Sequence, residues 1–378
     1  MRSCLGCANG DRLLMELEST VSAADLSRCN VPESFDVDFY RGRLSLGSPD
    51  YHQDPSVRTG DLLALTREYV PPGSGYTAVV GRYRCVRRLE VDGSQEAVEE
   101  RNLVGVRASL MVKGGLAGHV TAGRVGVAGF ERDVVGMLEE VLRLLRDRVR
   151  SIERSRGLGI TEAGRVEVVL TREASPALFH ELSKLLSADR GRGALGKRLF
   201  ASDSIRVCDS PGDLRRPSAR FFDDEGVVTR RRWLVEGGVV VDLHHGIKTA
   251  YEMGSHPGSV HDPLGELRPF HSSLLVEGGA WDNDELIEET KRGFLVEGVV
   301  ASSLEDYYVR MVPQVAFKLE RGEVREPVRI RALRIPLVRP IRLLAMGRGG
   351  YTKYSRGPGG SIVTETSPPI KVEAYVEF

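Results

Sequence analysis

The residues best suited to chemistry are a histidine and a glutamate that are adjacent in the chain, His180 and Glu181. An imidazole is a good zinc ligand, and a neighbouring carboxylate can take a proton from metal-bound water. The most common helical zinc motif has a second histidine four residues after the first, but Lys184 occupies that position. Leucines at three- and four-residue steps predict a core-packed helix here, with His180 on its polar face. The local sequence therefore supplies one metal ligand, and we expect no catalytic role for either residue.

Five further histidines lie close together in the sequence and are an alternative source of metal ligands. They are His244, His245, His256, His261 and His271. Their spacings match no recognised zinc motif, and the glycines and prolines between them indicate a loop. We interpret them as scattered loop histidines. A zinc site that combines them with His180 and Glu181 is the alternative.

The composition excludes several classes of protein. The 378 residues carry 53 Lys+Arg and 53 Asp+Glu, so the net charge is about zero, which argues against an electrostatic nucleic-acid or membrane-surface binder. No apolar run approaches the roughly 20 residues that span a bilayer. Five cysteines, among them a lone Cys4-x-x-Cys7 pair, form an odd and sparse set without a secretory signal. We therefore expect a soluble, cytoplasmic protein.

The pattern along the chain predicts an α+β protein with two domains. Residues 1–75 are punctuated by prolines and glycines and are expected to be irregular. From residue 76 to residue 160, alternating strands are followed by a long amphipathic helix over 131–154, which indicates an N-terminal α+β domain. Residues 161–378 are predicted to form a strand-rich C-terminal domain that includes the helix carrying His180.

An acidic segment precedes a predicted β-hairpin in the second half of the chain. Asp223, Asp224 and Glu225 form an acidic turn that ends at Gly226. Apolar residues follow in two runs separated by Glu-Gly-Gly within 233–240. A glycine pair between apolar runs indicates a tight hairpin turn.

Several stretches resemble the TldD/PmbA family, whose members were once called modulators of DNA gyrase. They are the acidic turn with its hairpin, Lys291-Arg292-Gly293, the turn and strand at 321–328, and Ser367-Pro368-Pro369-Ile370-Lys371-Val372. The last of these is similar to the final strand of the PmbA/TldE branch. The likeness covers residues 76–378, whereas 1–75 look shortened, and residues 305–308 replace a Gly-Asp-Phe-Ser element of many members.

The resemblance implies a zinc site whose pattern this chain does not complete. In TldD-type subunits zinc is held by a helical His-Glu followed three residues later by Gly-His, and by a cysteine further downstream. His180 and Glu181 occupy the place of the His-Glu pair, but Lys184 and Leu185 stand in place of Gly-His. No cysteine follows Cys208. We therefore expect no metal, no cofactor and no catalytic residue, with His180 and Glu181 as relics.

The resemblance also implies a function. Family members are metallopeptidases or the metal-free partner subunits of such peptidases, and the pair encloses a chamber in which unfolded peptides are degraded. We expect a non-catalytic TldE/PmbA-like subunit, a pseudoenzyme that forms a heterodimer with a TldD-type subunit or pairs with itself. We expect Asp224, Glu225 and Gly226 to lie near the peptide or the partner. The alternatives are a divergent active zinc metallopeptidase using His180 and Glu181, and a homodimeric protein that binds peptides without hydrolysis.

Overall fold

The computed structural model describes residues 21–22, 38, 42–46, 59–71, 74–91, 95–112, 118–131, 133–261, 268–358 and 361–377. Cys4 and Cys7 lie outside these ranges. The described part of the chain is strand-rich. None of its helices is long and apolar enough to cross a membrane.

Five α-helices are present in the described residues. They are α1 (Thr59–Tyr69), α2 (Val134–Glu153), α3 (Ser175–Ser183), α4 (Ile247–Met253) and α5 (Asn283–Glu288). Short 3-10 helices lie at 160–162 and 192–194. Helix α1 lies within the segment that we predicted to be irregular, so regular structure extends further towards the N-terminus than the proline pattern indicates.

The first sheet is an antiparallel meander with two short parallel additions. Its strands are β1 (Val21–Ser22), β2 (Gly42–Leu46), β3 (Tyr76–Val91), β4 (Gln95–Met111) and β5 (His119–Val127). Strand β4 pairs with β3 along one edge, and with both β2 and β5 along the other. Helix α2 packs on this sheet because its apolar residues recur at three- and four-residue steps and are buried, as Leu138, Leu142 and Leu145 show. Its start is capped by Asp133, whose carboxylate accepts a hydrogen bond from the Gly136 amide at 2.7 Å.

The remaining strands belong to two larger sheets and one two-stranded ribbon. They are β6 (Arg156–Gly157), β7 (Gly164–Leu170), β8 (Arg206–Asp209), β9 (Arg232–Glu236), β10 (Val239–Val240), β11 (Val260–His261), β12 (Arg268–Pro269), β13 (Ser273–Val276), β14 (Arg292–Leu304), β15 (Tyr308–Glu320), β16 (Glu323–Arg329), β17 (Ala332–Pro336), β18 (Leu343–Met346), β19 (Tyr351–Arg356), β20 (Ile362–Ser367) and β21 (Ile370–Glu377). Strands β11 and β12 pair only with each other among the described residues.

The second sheet has six strands in the order β10-β9-β8-β13-β20-β19. Strands β9 and β10 form the hairpin predicted around Glu-Gly-Gly, which is confirmed. Gly237 and Gly238 both have left-handed φ angles, 56° and 75°, as a tight two-residue turn requires. The acidic turn is a separate element, because Phe222 bridges Val228 rather than the hairpin.

The third sheet closes on itself. Its order is β14-β7-β21-β17-β15, and β14 also pairs with β15 along nearly its whole length, so these five strands form a ring. Strands β16, β6 and β18 extend it. The largest hydrophobic core of the molecule includes inward residues of this ring, for example Val168, Val296 and Val372, each fully buried. The chain passes directly from β20 of the second sheet into β21 of the third through Pro368 and Pro369, so the two sheets are held at a fixed junction.

Candidate functional site

Helix α3 positions the His-Glu pair. Pro176 lies in its first turn, where the missing amide hydrogen costs nothing, and Leu178, Phe179 and Leu182 are buried. The helix ends at Ser183. Beyond it, amides bond to the carbonyl three residues back, as Leu186 does to Ser183, which tightens the chain into turns. His180 is thus near the end of a short helix packed against β14, β15, β19 and β20.

A cluster of three side chains brings His180 together with two distant residues. The Nδ1 atom of His180 is 2.6 Å from Oε1 of Glu365, and Nε2 of His271 is 2.8 Å from the same oxygen. One ligand atom from each of the three side chains lies within 4.8 Å of the other two. His271 is fully buried, Glu365 is 1% exposed, and the His180 side chain is 14% exposed. His180 is therefore not a solvated histidine of a polar helix face.

Hydroxyl groups hold this cluster from outside. Ser183 Oγ lies 2.7 Å from His271 Nδ1 and 3.2 Å from His244 Nε2, so it joins two buried histidines. Ser355 donates a hydrogen bond to the second oxygen of Glu365, Oε2, at 2.7 Å. Each ring and the carboxylate therefore have a fixed orientation.

The electrostatics of the cluster favour an ionised glutamate. Burial opposes ionisation, but the hydrogen bonds from His180 and His271 prevail and lower the pKa of Glu365 to about 2. Lys353 is the residue opposite Glu365 on the neighbouring strand β19. Burial lowers the pKa of the Lys353 ammonium group, although the charge of Glu365 opposes this. Burial, and then the neighbouring His271, holds the pKa of His244 well below its usual value, so His244 is neutral.

Glu181, which is adjacent to His180, has other partners. Its Oε2 atom is 2.6 Å from the ammonium group of Lys184, and its Oε1 atom accepts a hydrogen bond from Ser302 at 2.8 Å. The Glu181 residue is 2% exposed. Both carboxylate oxygens are therefore already used within the chain.

The acidic turn is buried rather than presented at the surface. Asp224 is 6% exposed, and its Oδ1 atom lies 2.6 Å from Nη2 of Arg87 and 3.3 Å from Nη1 of Arg220. Glu225 is 8% exposed and accepts a hydrogen bond from the Ile247 amide at 2.8 Å. Gly226 completes the turn with a left-handed φ of 83°. The structure gives these residues intramolecular partners, and a contact of the turn with a peptide or a partner subunit stays a prediction.

Two carboxyl groups of this turn resist ionisation. Asp223 is 1% exposed and accepts hydrogen bonds from the amides of Glu225, Val227 and Val260. Burial, followed by the charge of Glu225, raises the pKa of Asp223 well above its usual value. Burial also raises the pKa of Glu225 to about 7. The turn therefore anchors chain segments to one another.

Comparison with known proteins agrees with this architecture. Residues 163–334 match the family model of the PmbA/TldA metallopeptidase C-terminal domain. This part of the chain is therefore a C-terminal domain of the TldD/PmbA family. A metalloprotease of Archaeoglobus fulgidus is 26% identical over 233 residues, which are 57% of this chain and 53% of that protein. A metalloprotease of Methanocaldococcus jannaschii is 26% identical over 145 residues, or 36% of this chain and 32% of that protein. The chain thus matches about half the length, or less, of these curated relatives.

Solved structures of similar proteins share the fold. TldE from Thermococcus kodakarensis superposes with a TM-score of 0.65 at 19% identity, covering 93% of this chain and 82% of that one. A proposed modulator of a DNA gyrase from Thermotoga maritima superposes with a TM-score of 0.63 at 17% identity, covering 93% and 81%. At such low identity, this structural similarity establishes only that the chain has a TldE-like fold.

The zinc-binding pattern described for TldD-type members does not fit this chain position by position. The pattern has two histidines and one cysteine as ligands, and this chain has only the first of them, as His180. Leu185 replaces the second histidine and packs against the core, and no cysteine follows Cys208. The donors that the fold brings to His180 are instead an imidazole and a carboxylate, His271 and Glu365. Two histidines and one glutamate are a donor set used by zinc in other protein families.

Part of this cluster can be predicted from the sequence. His271 was among the five loop histidines, but nothing distinguished it from the other four. Glu365 was missed, although a signal existed, since it is a carboxylate inside the strand Ile362–Ser367, whose residues from 363 onward are buried. A charged residue at a buried strand position is almost always paired, so such a position predicts a nearby hydrogen-bond or ion-pair partner.

Proposed function

We propose that this chain is a non-hydrolytic, TldE-like subunit of a TldD-type metallopeptidase complex that degrades unfolded peptides. The partner subunit supplies the hydrolytic chemistry, and this chain completes the chamber. The observation that carries the proposal is the engagement of both oxygens of Glu181, by Lys184 and by Ser302.

Hydrolysis by a metal centre needs a base that can reach the attacking water. Glu181 is the carboxylate adjacent to His180 in sequence, and it is bound in an ion pair and a hydrogen bond within a buried setting. Freeing it would leave the Lys184 ammonium group without its carboxylate and the Ser302 hydroxyl without its acceptor. The base position is therefore occupied.

The cluster around His180 is also closed to a substrate. His271 and Glu365 are 0% and 1% exposed, and both imidazoles point at one oxygen of Glu365. A peptide carbonyl would have to enter among groups that already satisfy one another. This closure favours a structural role over catalysis at this position.

The setting we propose is the cytoplasm, where a peptidase for unfolded peptides would find its substrates. Of the cysteines that the structure describes, Cys85 and Cys208 are both free thiols. Free thiols are typical of a reducing compartment.

The test is to purify the chain alone and together with a TldD-type subunit, and to measure cleavage of an unfolded fluorogenic protein. We expect no cleavage by the chain alone, a stable complex on mixing, and cleavage by the complex. Glu181→Gln in this chain should leave the activity of the complex unchanged, whereas the same change in the partner's His-Glu motif should abolish it. Cleavage by the isolated chain, or failure to associate with the partner, would overturn the proposal.

A second candidate is a divergent zinc peptidase, favoured by the juxtaposition of His180, His271 and Glu365. It requires the Glu181 ion pair to open during turnover. It predicts that the isolated chain cleaves peptides and that Glu181→Gln abolishes this cleavage, so the same experiment separates the two functions.

A further inference from the structure

We propose that His180, His271 and Glu365 bind a divalent transition-metal ion of the zinc class, and that this ion joins three separate elements of the fold. The ligands come from α3, from the residues between β12 and β13, and from β20. The site differs from the pattern of the TldD-type subunits, which takes two ligands from one helix and a third from a cysteine. The inference concerns binding and is independent of the proposed function, since hydrolysis needs a free base in addition.

The donor atoms are close to the spacing that a zinc ion requires. Tetrahedral zinc with bonds of about 2.0–2.1 Å holds its donors about 3.3 Å apart. The two nitrogen atoms lie 2.6 and 2.8 Å from Oε1 of Glu365. Each must therefore withdraw from this oxygen by about 0.5–0.7 Å to admit the ion. The two nitrogen atoms lie within 4.8 Å of each other, so the three donors surround one position.

The hydrogen-bond partners of the donors also suit a cation. His271 can bind through Nε2 while its Nδ1 faces the hydroxyl of Ser183, which fixes the ring. Ser355 holds the second oxygen of Glu365. Such outer hydrogen bonds are the usual support of metal-ligating histidines and carboxylates.

One nearby group opposes a bound cation. Lys353 is the strand neighbour of Glu365, and its ammonium group would repel the ion. His244, which shares Ser183 with His271, is a second buried histidine beside the cluster.

The test uses the full chain stripped with a chelator, dialysed and titrated with zinc chloride in the absence of peptide. We expect one equivalent of zinc by elemental analysis, an increase in Tm with zinc, and visible d–d absorption of a four-coordinate centre when cobalt(II) replaces zinc. Ser183→Ala should weaken zinc binding by about 10- to 100-fold, as loss of an outer-shell partner does. His271→Ala and Glu365→Gln should weaken it further.

His256→Ala is the matched control, because His256 is an exposed histidine of the same region. It should bind zinc like the unaltered chain. If the ligand variants do not fold, the cobalt spectrum and the zinc-dependent Tm of the unaltered chain still decide the matter. The proposal is overturned if the unaltered chain takes up no zinc at micromolar concentrations, or if His271→Ala and Glu365→Gln fold and retain full binding. Zinc uptake without hydrolysis leaves the proposed function intact, so the two proposals fail separately.

Discussion

Replacing Asp224 by asparagine should destabilise the protein strongly, because Asp224 neutralises the buried Arg220 and the half-buried Arg87. Its carboxylate lies between Arg87 and Arg220, and Arg220 is 3% exposed. Burial, followed by the charge of Arg87, lowers the pKa of Arg220 to about 10, which shows how poorly a positive charge is tolerated here. In Asp224→Asn the two guanidinium groups lose this negative charge and keep that of Glu99.

The magnitude follows from burial. Removing one partner of a buried ion pair lowers the free energy of unfolding by about 3–5 kcal/mol. Because asparagine keeps an amide oxygen that can still accept a hydrogen bond, we expect a loss of about 3 kcal/mol for this variant. The matched control is Asp203→Asn, which breaks an exposed pair with Arg198 at 2.7 Å. The Asp203 side chain is 85% exposed, so we expect this control to lower the free energy of unfolding by less than about 1 kcal/mol. The free energy of unfolding is measured by urea denaturation at pH 7, followed by fluorescence and circular dichroism.

The effect should also depend on pH. Although burial opposes ionisation, Arg220 and Arg87 lower the pKa of Asp224 below its usual value. A carboxyl group with a lowered folded-state pKa stabilises the protein above its unfolded pKa, about 3.9, and loses that contribution as the pH falls towards the folded value. The difference between the unaltered chain and Asp224→Asn should therefore be full at pH 7 and shrink below about pH 4. A loss at pH 7 no larger than that of Asp203→Asn would refute the reasoning.

Two further predictions concern the neighbourhood of α3 and the acidic turn. Gly191→Ala should lower the free energy of unfolding by about 1–3 kcal/mol or more, because its added Cβ would lie 1.8 Å from the Leu185 carbonyl oxygen. Gly193→Ala is the control, because its Cβ would meet open space and should leave the free energy of unfolding unchanged. Equal Tm values for the two variants would contradict this. Glu225→Gln should keep the hydrogen bond from the Ile247 amide. The folded-state pKa of Glu225 is raised to about 7, so the unaltered chain loses stability as the pH rises from about 4.5 to about 7, and the variant should become more stable relative to it over this range. Urea denaturation at pH 5 and pH 8 checks this, and a difference that does not change with pH would count against it.

The elements that follow from local pattern were predictable. The buried stripe of α2 follows from its apolar spacing, and the structure starts the helix at Val134 because Asp133 caps it. The β9–β10 hairpin follows from its glycine pair. Helix α1 was missed because prolines on either side, including Pro55 and Pro71, indicated a loop. The division into domains near residues 75 and 160 stays a prediction.

The site was less predictable because its parts are distant in sequence. His180 was identified from its neighbour Glu181, but Glu365 is 185 residues away and meets it only through the pairing of β20 with β13 and β19. No spacing rule relates residues that a sheet topology brings together. The acidic turn illustrates the same limit, because its partners Arg87 and Arg220 come from different parts of the chain.

The closed ring of strands has a consequence for biosynthesis. Strand β21 lies between β7 and β17, although residue 370 pairs with residue 170, two hundred positions earlier. Until Ile370–Glu377 has left the ribosome, β7 and β17 each expose an unpaired edge that another nascent chain could join. Closure of the ring therefore waits until residues 370–377 have been made, and we expect it to be slow because distant segments must meet.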